Sequence, residues 1–316
     1  MTLTTDYADT AEPGTLGMLW LEITGQCQLE CRHCYAGSGP DGDHGTMTTG
    51  DWERVIGQAA GLGTRIVQFI GGEPTLHPDL PRLIRHALER GLRVEVYTNL
   101  VRVPDELWDV FSLDGVQLAT SWYSDDRDQH CQVTGRDTWR QTKANVEKAL
   151  RRGIPLRAGV VDGIVEGQRA AEGGQLLLQI GVRGTGTDTV REFGRGTVPD
   201  ASQACGNCGH GRAAVLPDGT VTPCPMTRWM AAGNVHEGAL AGILGTVTEL
   251  AGTLPRRAED CAPHCAPVQD GFCRPSAQEP CDPNIRTVRA CNPDDCRPDV
   301  FCVPLCSPSA CRPNLR

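Results

Sequence analysis

The placement of cysteine constrains this chain more than any other feature. Sixteen Cys stand in 316 residues, and nine of them fall in the last 56, from Cys261 to Cys311. Each of the nine is followed two residues later by Pro, at intervals that vary from 4 to 10 residues. So much Pro forms neither helix nor central strand, and uneven intervals exclude a fixed-period solenoid. Such a segment folds only where something crosslinks it. Met1 to Gly14 is polar and acidic with no apolar stretch, so no secretory signal is expected and the chain reads as cytoplasmic. Thiols stay reduced there, and clustered Cys then point to metal ligation rather than to disulfides.

Ahead of that tail the pattern is ordinary α/β. Apolar runs at Met18–Ile23, Arg65–Ile70, Leu92–Tyr97, Val116–Thr120 and Leu156–Val161 read as strands. Helical patterns lie between them at Thr49–Gly61, Asp79–Arg90 and Thr138–Arg152, the last two closed by Gly91 and Gly153. A further helix end at Leu176–Ile180 and a strand at Gly181–Gly186 follow. This alternation implies parallel βα units in a closed or partial barrel. Catalytic residues are then expected at the C-terminal strand ends. No apolar run reaches the length of a spanning helix, and mean hydropathy is −0.30, so no membrane is expected. With 39 acidic against 30 basic residues, the net charge of −9 argues against nucleic acid as a partner.

Chemistry enters just after the first strand, at Cys27-Gln-Leu-Glu-Cys31-Arg-His-Cys34. Three thiolates in so short a loop suit three irons of a 4Fe–4S cube, leaving the fourth iron open to a small molecule. A three-Cys zinc site completed elsewhere, or three free thiols, are the alternatives. After the second strand stands Gly71-Gly72-Glu73-Pro74, where two Gly permit close backbone approach and Glu73 offers a carboxylate to an ammonium.

In order and position these two motifs resemble the signature of the radical S-adenosylmethionine (SAM) superfamily, with His33 in the aromatic slot of the cysteine motif. The resemblance covers residues 16–200 and implies a partial (βα)6 barrel of TIM type. It also implies a cluster on Cys27, Cys31 and Cys34, and SAM bound at Gly71, Gly72, Glu73 and Pro74. Thr98 and Asn99, after Tyr97, match the position where the family contacts ribose. Ser121 and Arg157 match positions that contact the SAM carboxylate and ribose. The implied reaction is one-electron cleavage of SAM to a 5′-deoxyadenosyl radical, which takes a hydrogen atom from an unactivated carbon.

Cys205-Gly-Asn-Cys208, then Gly219 and Cys224, resembles the opening of a SPASM domain, a module that binds auxiliary iron–sulfur clusters. Residues 201–316 are its expected extent. Between these cysteines Ala213–Val221 reads as a hairpin with an Asp218-Gly219 turn, which returns Cys224 to Cys208. A zinc ribbon is the alternative. Further ligands fall on Cys261, Cys265, Cys273 and Cys281, or in a second register on Cys291, Cys296, Cys302, Cys306 and Cys311. The count suits two auxiliary 4Fe–4S clusters, or three with one thiol left over. That thiol would be Cys131, a candidate hydrogen donor to a substrate radical, with an inert buried Cys as the alternative. Pro two residues after each tail cysteine removes an N–H donor to cluster sulfur, which predicts low-potential tail clusters.

Enzymes of the resembling class mostly crosslink or epimerise ribosomally made peptides, and a peptide is the expected substrate. Only 26 residues precede Cys27, so an N-terminal winged-helix leader-binding module is not expected. A dehydrogenase or epimerase of a sugar or aminoglycoside is the second reading, and a non-enzymatic redox protein the third. An electron donor such as ferredoxin or flavodoxin is implied.

Overall fold

The structure is a computed structural model that describes residues 16–255 and, by backbone alone, two more short strands, Cys265–Pro267 and Cys273–Pro275. The chain divides into two compact units, residues 1–255 and 256–316. In the first unit the order is β1 (Met18–Glu22), α1 (Thr49–Gly61), β2 (Ile66–Ile70), α2 (Leu80–Glu89), β3 (Arg93–Tyr97), α3 (Asp105–Phe111) and β4 (Val116–Trp122). There follow α4 (Arg127–Thr134), α5 (Trp139–Arg151), β5 (Leu156–Asp162), α6 (Ala170–Gln179) and β6 (Gly184–Thr189). The unit ends with β7 (Arg212–Val215), β8 (Thr220–Thr222), β9 (Gly233–Asn234) and α7 (Leu240–Ala251).

These strands make one nine-stranded sheet in the order β6-β5-β4-β3-β2-β1-β7-β8-β9. The first six run parallel, each beside its neighbours in sequence. Because β6 and β9 stand at opposite ends of that order, the barrel is partial rather than closed. The sheet does not stop near residue 200: β7 pairs in parallel with β1, and β8 and β9 add antiparallel strands. β7 and β8 form the hairpin read from the sequence. In the second unit the two short strands pair antiparallel, Cys265 opposite Pro275.

Side chains alternate across each strand, so each face has its own chemistry. One face carries Leu19, Leu21, Val67, Phe69, Val94, Val96 and Leu118, all fully buried in the main core. Helix α1 covers it with Trp52, Val55, Ile56 and Ala59, and α2 with Leu80, Leu83, Ile84 and Ala87. Both sets follow the i, i+3, i+4, i+7 spacing of a helical stripe. Each large apolar side chain so buried contributes about 1.5–3 kcal/mol. A capping box between Thr48 and Asp51 starts α1, whose bounds match those read from the sequence.

The opposite face is polar. Trp20, Gln68, Glu95 and Gln117 stand in one register row from β1 to β4. The last three are at most 4% exposed. Buried polar groups need partners: Gln68, Gln117 and Arg157 of β5 all donate to Glu95, as described below, while Gln117 Oε1 has no partner among the described residues. Helices α3, α4 and α7 were not legible in the sequence. The last strand begins at Gly184 rather than Gly181, because Val182 packs into the core.

Candidate metal centre at the strand ends

The three-cysteine loop leaves the C-terminal end of β1 and is sewn down by its backbone. Cys27 N–H donates to Gly39 O (2.9 Å), Glu30 N–H to Thr134 O (3.2 Å) and Arg32 N–H to Val133 O (3.0 Å). The end of α4 therefore fixes the middle of the loop. Cys27 is buried, with its sulfur accepting from Leu29 N–H (3.4 Å), and Cys31 and Cys34 are partly exposed. The Cys27 and Cys31 thiols are pushed up to about 12, chiefly by burial, with Glu73 and Cys34 adding to the rise at Cys27 and Cys27 and Cys34 at Cys31.

Among the described residues, no three or more His, Cys, Asp or Glu side chains converge as ligands of a single metal ion. A four-iron cube places a different iron before each thiolate, so its ligands need not meet at one point as those of zinc must. A loop offering three thiols at the strand ends fits such a cluster.

Gly71 and Gly72 do make a close backbone approach, and the partner is the chain itself. Gly72 N–H donates to Thr24 O (2.7 Å) and Glu73 N–H to Gln26 O (2.8 Å). A Cβ would lie 2.4 Å from Thr24 O at Gly71, where φ is +150°, and 2.3 Å from Gln26 O at Gly72. The two glycines thus let the end of β2 press against the stem of the cysteine loop.

The carboxylate of Glu73 faces inward, contrary to the expectation that it is offered to an ammonium. It is fully buried. It accepts from Thr98 Oγ1 (2.6 Å), Thr75 Oγ1 (2.7 Å), Asn99 N–H (2.8 Å) and Thr75 N–H (3.0 Å). Burial raises its pKa, and these donors oppose the rise. Pro74 opens a short 3-10 turn whose cap is Glu73. Thr98 and Asn99 therefore stand at the end of β3, tied to the end of β2 through this carboxylate. Asn99 also reaches the loop, with Nδ2 3.7 Å from Cys27 Sγ and Oδ1 accepting from Gln28 Nε2 (3.1 Å). Leu100, next in the chain, holds φ at +54°, a left-handed conformation unusual for Leu, and is fully buried.

Tyr97 and Ser121 meet on the polar face, hydroxyl to hydroxyl at 3.1 Å. Arg157 forks onto Glu95 with Nε and Nη2 at 2.8 and 2.7 Å, and its guanidinium lies 5.4 Å from the Tyr97 ring centre. Gln68 and Gln117 also donate to Glu95, so that this fully buried carboxylate has four donors. His33 packs edge-on to Tyr123 at 5.1 Å, and Tyr123 in turn meets His130 of α4 at 5.5 Å. Burial lowers His33 and His130 to about 4, so both rings are neutral at pH 7. Next to His130 in α4 stands Cys131, partly exposed.

The second cysteine group is tighter. Cys208 and Cys224 lie 3.3 Å apart, sulfur to sulfur, and Cys208 also bonds Cys205. Shared protons raise Cys208 and lower Cys205 and Cys224. Ala204, Cys208, Cys224 and Leu254 form a small apolar cluster, flanked by Trp20, Met226 and Met230. Thr227 Oγ1 accepts from Cys224 N–H (3.1 Å), and Arg228 next to it bonds the buried Glu22 at the end of β1 (2.5 Å). Cys261 and Cys281 lie outside the described residues, as do the five cysteines of the second register. Of Cys265 and Cys273 only the backbone is described. All seven described cysteines are free thiols.

Glu22, Glu95, Arg195 and Arg228 had no signal in the sequence, for none belongs to a motif of fixed spacing. The described part contains no helix long and apolar enough to cross a membrane.

Comparison with known proteins places this geometry. The radical SAM superfamily model matches residues 21–167. PqqA peptide cyclase of Rhodopseudomonas palustris is 41% identical over 81 residues, 26% of this chain and 20% of that protein. The probable GTP 3′,8-cyclase of Pyrococcus abyssi is 30% identical over 146 residues, 45% of this chain and 46% of that protein. The matched stretches thus span a fifth to just under half of these relatives. SuiB of Streptococcus suis, solved bound to precursor peptide SuiA, shares the fold, with a TM-score of 0.64 at 14% identity over 78% of this chain and 69% of SuiB. Residues 21–167, which carry the parallel strands β2 to β5 of the partial barrel, thus match the radical SAM superfamily.

Proposed function

We propose that the protein is a radical SAM enzyme that modifies a ribosomally made peptide by crosslinking or epimerisation. The observation that carries the first half is the loop bearing Cys27, Cys31 and Cys34 after β1, whose stem is hydrogen-bonded to Gly72 and Glu73 at the end of β2. Those thiols would hold one 4Fe–4S cluster, which when reduced supplies the electron that splits the sulfonium of SAM.

The chain's own residues divide the remaining work. With the Glu73 carboxylate used internally and the Glu73 and Pro74 carbonyls accepting from Leu76 and His77 N–H, the backbone carbonyls of Gly71 and Gly72 would serve the SAM amino group. Glu73 instead holds Thr98 and Asn99 in place for the ribose side of SAM. Ser121, fixed by Tyr97, and Arg157, fixed by Glu95, present a hydroxyl and a cation on the same polar face. Neutral His33 offers a ring beside them. Cys205, Cys208 and Cys224 would open the auxiliary cluster domain expected over residues 201–316. Cys131, partly exposed on α4, would be the candidate hydrogen donor to a substrate radical. Ferredoxin or flavodoxin would deliver the electron.

A peptide substrate is supported by two likenesses: the matched cyclase of Rhodopseudomonas palustris is named for a peptide, and SuiB was solved with one. The test is anaerobic reconstitution with iron and sulfide, followed by SAM, dithionite and mass spectrometry for 5′-deoxyadenosine. Wild type should form it, and Cys27→Ala should not, while keeping the iron of the second group. A fully iron-loaded wild type that neither binds SAM nor forms 5′-deoxyadenosine would overturn the proposal in favour of a redox protein.

A further inference from the structure

The segment that follows β6 lies against the three-cysteine loop. At Gly194, φ is +87° and a Cβ would sit 2.2 Å from Cys34 O and 2.3 Å from Tyr35 Cα. No side chain fits there, so this strand of backbone rests directly on the loop. Its neighbour Arg195 then binds three separate loop carbonyls. The backbone N–H of Arg195 donates to Cys34 O (3.0 Å), Nε to Cys31 O (3.2 Å) and Nη2 to Ser38 O (2.5 Å).

The loop needs such a partner. It is irregular: within it, Cys31 O accepts only the turn bond from Cys34 N–H (3.3 Å) and Cys34 O that from Gly37 N–H (3.1 Å), so Arg195 supplies the second donor to each and also serves Ser38 O. A guanidinium has five N–H donors in a planar fork and can serve acceptors in different directions, which an ammonium on a flexible stem does less well. The same contact brings a permanent positive charge against Cys31. Upstream on this segment, Phe193 is buried and its ring lies 5.5 Å from that of Trp229, which anchors the segment to the stretch after Cys224.

We propose that Gly194 and Arg195 are positioning residues for the three-cysteine loop. Gly194 allows the contact, Arg195 clamps the loop by its carbonyls, and the guanidinium charge raises the reduction potential of the cluster bound there. The clamp stands on the protein alone. The effect on potential rests on the reading that this loop holds a cluster.

Two measurements on the full chain separate these parts. The first is amide hydrogen exchange of peptides covering residues 27–38 in the metal-free protein. Arg195→Gln and Gly194→Ala should exchange about tenfold faster there, while the β2 peptide keeps wild-type protection and shows that the fold is intact. The second is the midpoint potential of the reconstituted loop cluster, followed by electron paramagnetic resonance. Arg195→Gln should shift it to lower potential, whereas Arg195→Lys keeps the charge and should restore it.

Wild-type exchange at residues 27–38 in both Arg195→Gln and Gly194→Ala would overturn the clamp. A wild-type potential in Arg195→Gln would overturn the role of the charge. If Gly194→Ala does not fold, the Arg195 pair still decides both. A wild-type protein that takes up no cluster at this loop would refute the cluster reading and the effect on potential with it, and the exchange result would decide the clamp alone.

Discussion

In the first cysteine group, three thiols come from one eight-residue loop, yet most of what holds that loop is distant in sequence. The end of α4, Asn99 and Arg195 all bind it, the last from 164 residues away. In the second group the cysteines span Cys205 to Cys224, yet a local hairpin brings them together and two sulfurs touch at 3.3 Å. Close spacing in sequence therefore does not mean local support. The loop at the strand ends leaves Cys31 and Cys34 partly exposed and is braced from several elements. The hairpin group is packed on itself with apolar neighbours.

The largest expected effect separates the two groups. Cys208→Ala should remove the iron of the second group, while SAM cleavage without substrate stays within about twofold of wild type, because the Glu22–Arg228 and Phe193–Trp229 contacts that link the groups do not involve Cys208. Iron analysis and 5′-deoxyadenosine yield would check this. Loss of SAM cleavage in that variant would mean that the two groups work as one.

A smaller effect tests the bracing of the loop. Glu73→Ala leaves Thr98, Thr75 and the Asn99 N–H without their buried acceptor, and should cost about 3 kcal/mol or more in denaturant unfolding. A cost near zero would show that the strand ends hold the loop without this carboxylate.

The smallest effect concerns the link between the groups, the contact of Glu22 with Arg228. Burial raises the Glu22 carboxyl from 4.5 to about 7, against the pull of Arg228. A carboxyl that binds its proton more tightly in the folded state stabilises most below pH 4.5. That contribution is lost as pH rises through about 7. Glu22→Gln should flatten the dependence of Tm on pH across this window, by the equivalent of at most about 3 kcal/mol. An unchanged slope would mean that Glu22 is charged throughout.

Much of the frame was legible in advance. Alternating strands and helices gave the parallel sheet, because apolar periodicity reports which face of each element is buried. The Asp218-Gly219 turn gave the hairpin that closes the second group. Helix α4 escaped notice because it is short and polar, with only His130, Val133 and Thr134 buried. The polar row on the inner face was visible only as interruptions in apolar strands. That Gln68, Gln117 and Arg157 all donate to Glu95 depends on the register of four strands, which no single segment encodes.

By itself the sequence determined the order of the chemistry: a three-cysteine loop after the first strand, a Gly-Gly-Glu-Pro turn after the second, and a second cysteine group on a hairpin. Spacing within one turn or loop is a local property, and local conformational preference is enough to read it. The tertiary structure decided how those parts are used. It turned the Glu73 carboxylate inward, forked Arg157 onto Glu95 and set Arg195 on the carbonyls of a loop far upstream. Each of these satisfies a polar group that folding removes from water, and the partner is whichever residue the sheet and its connections bring within reach.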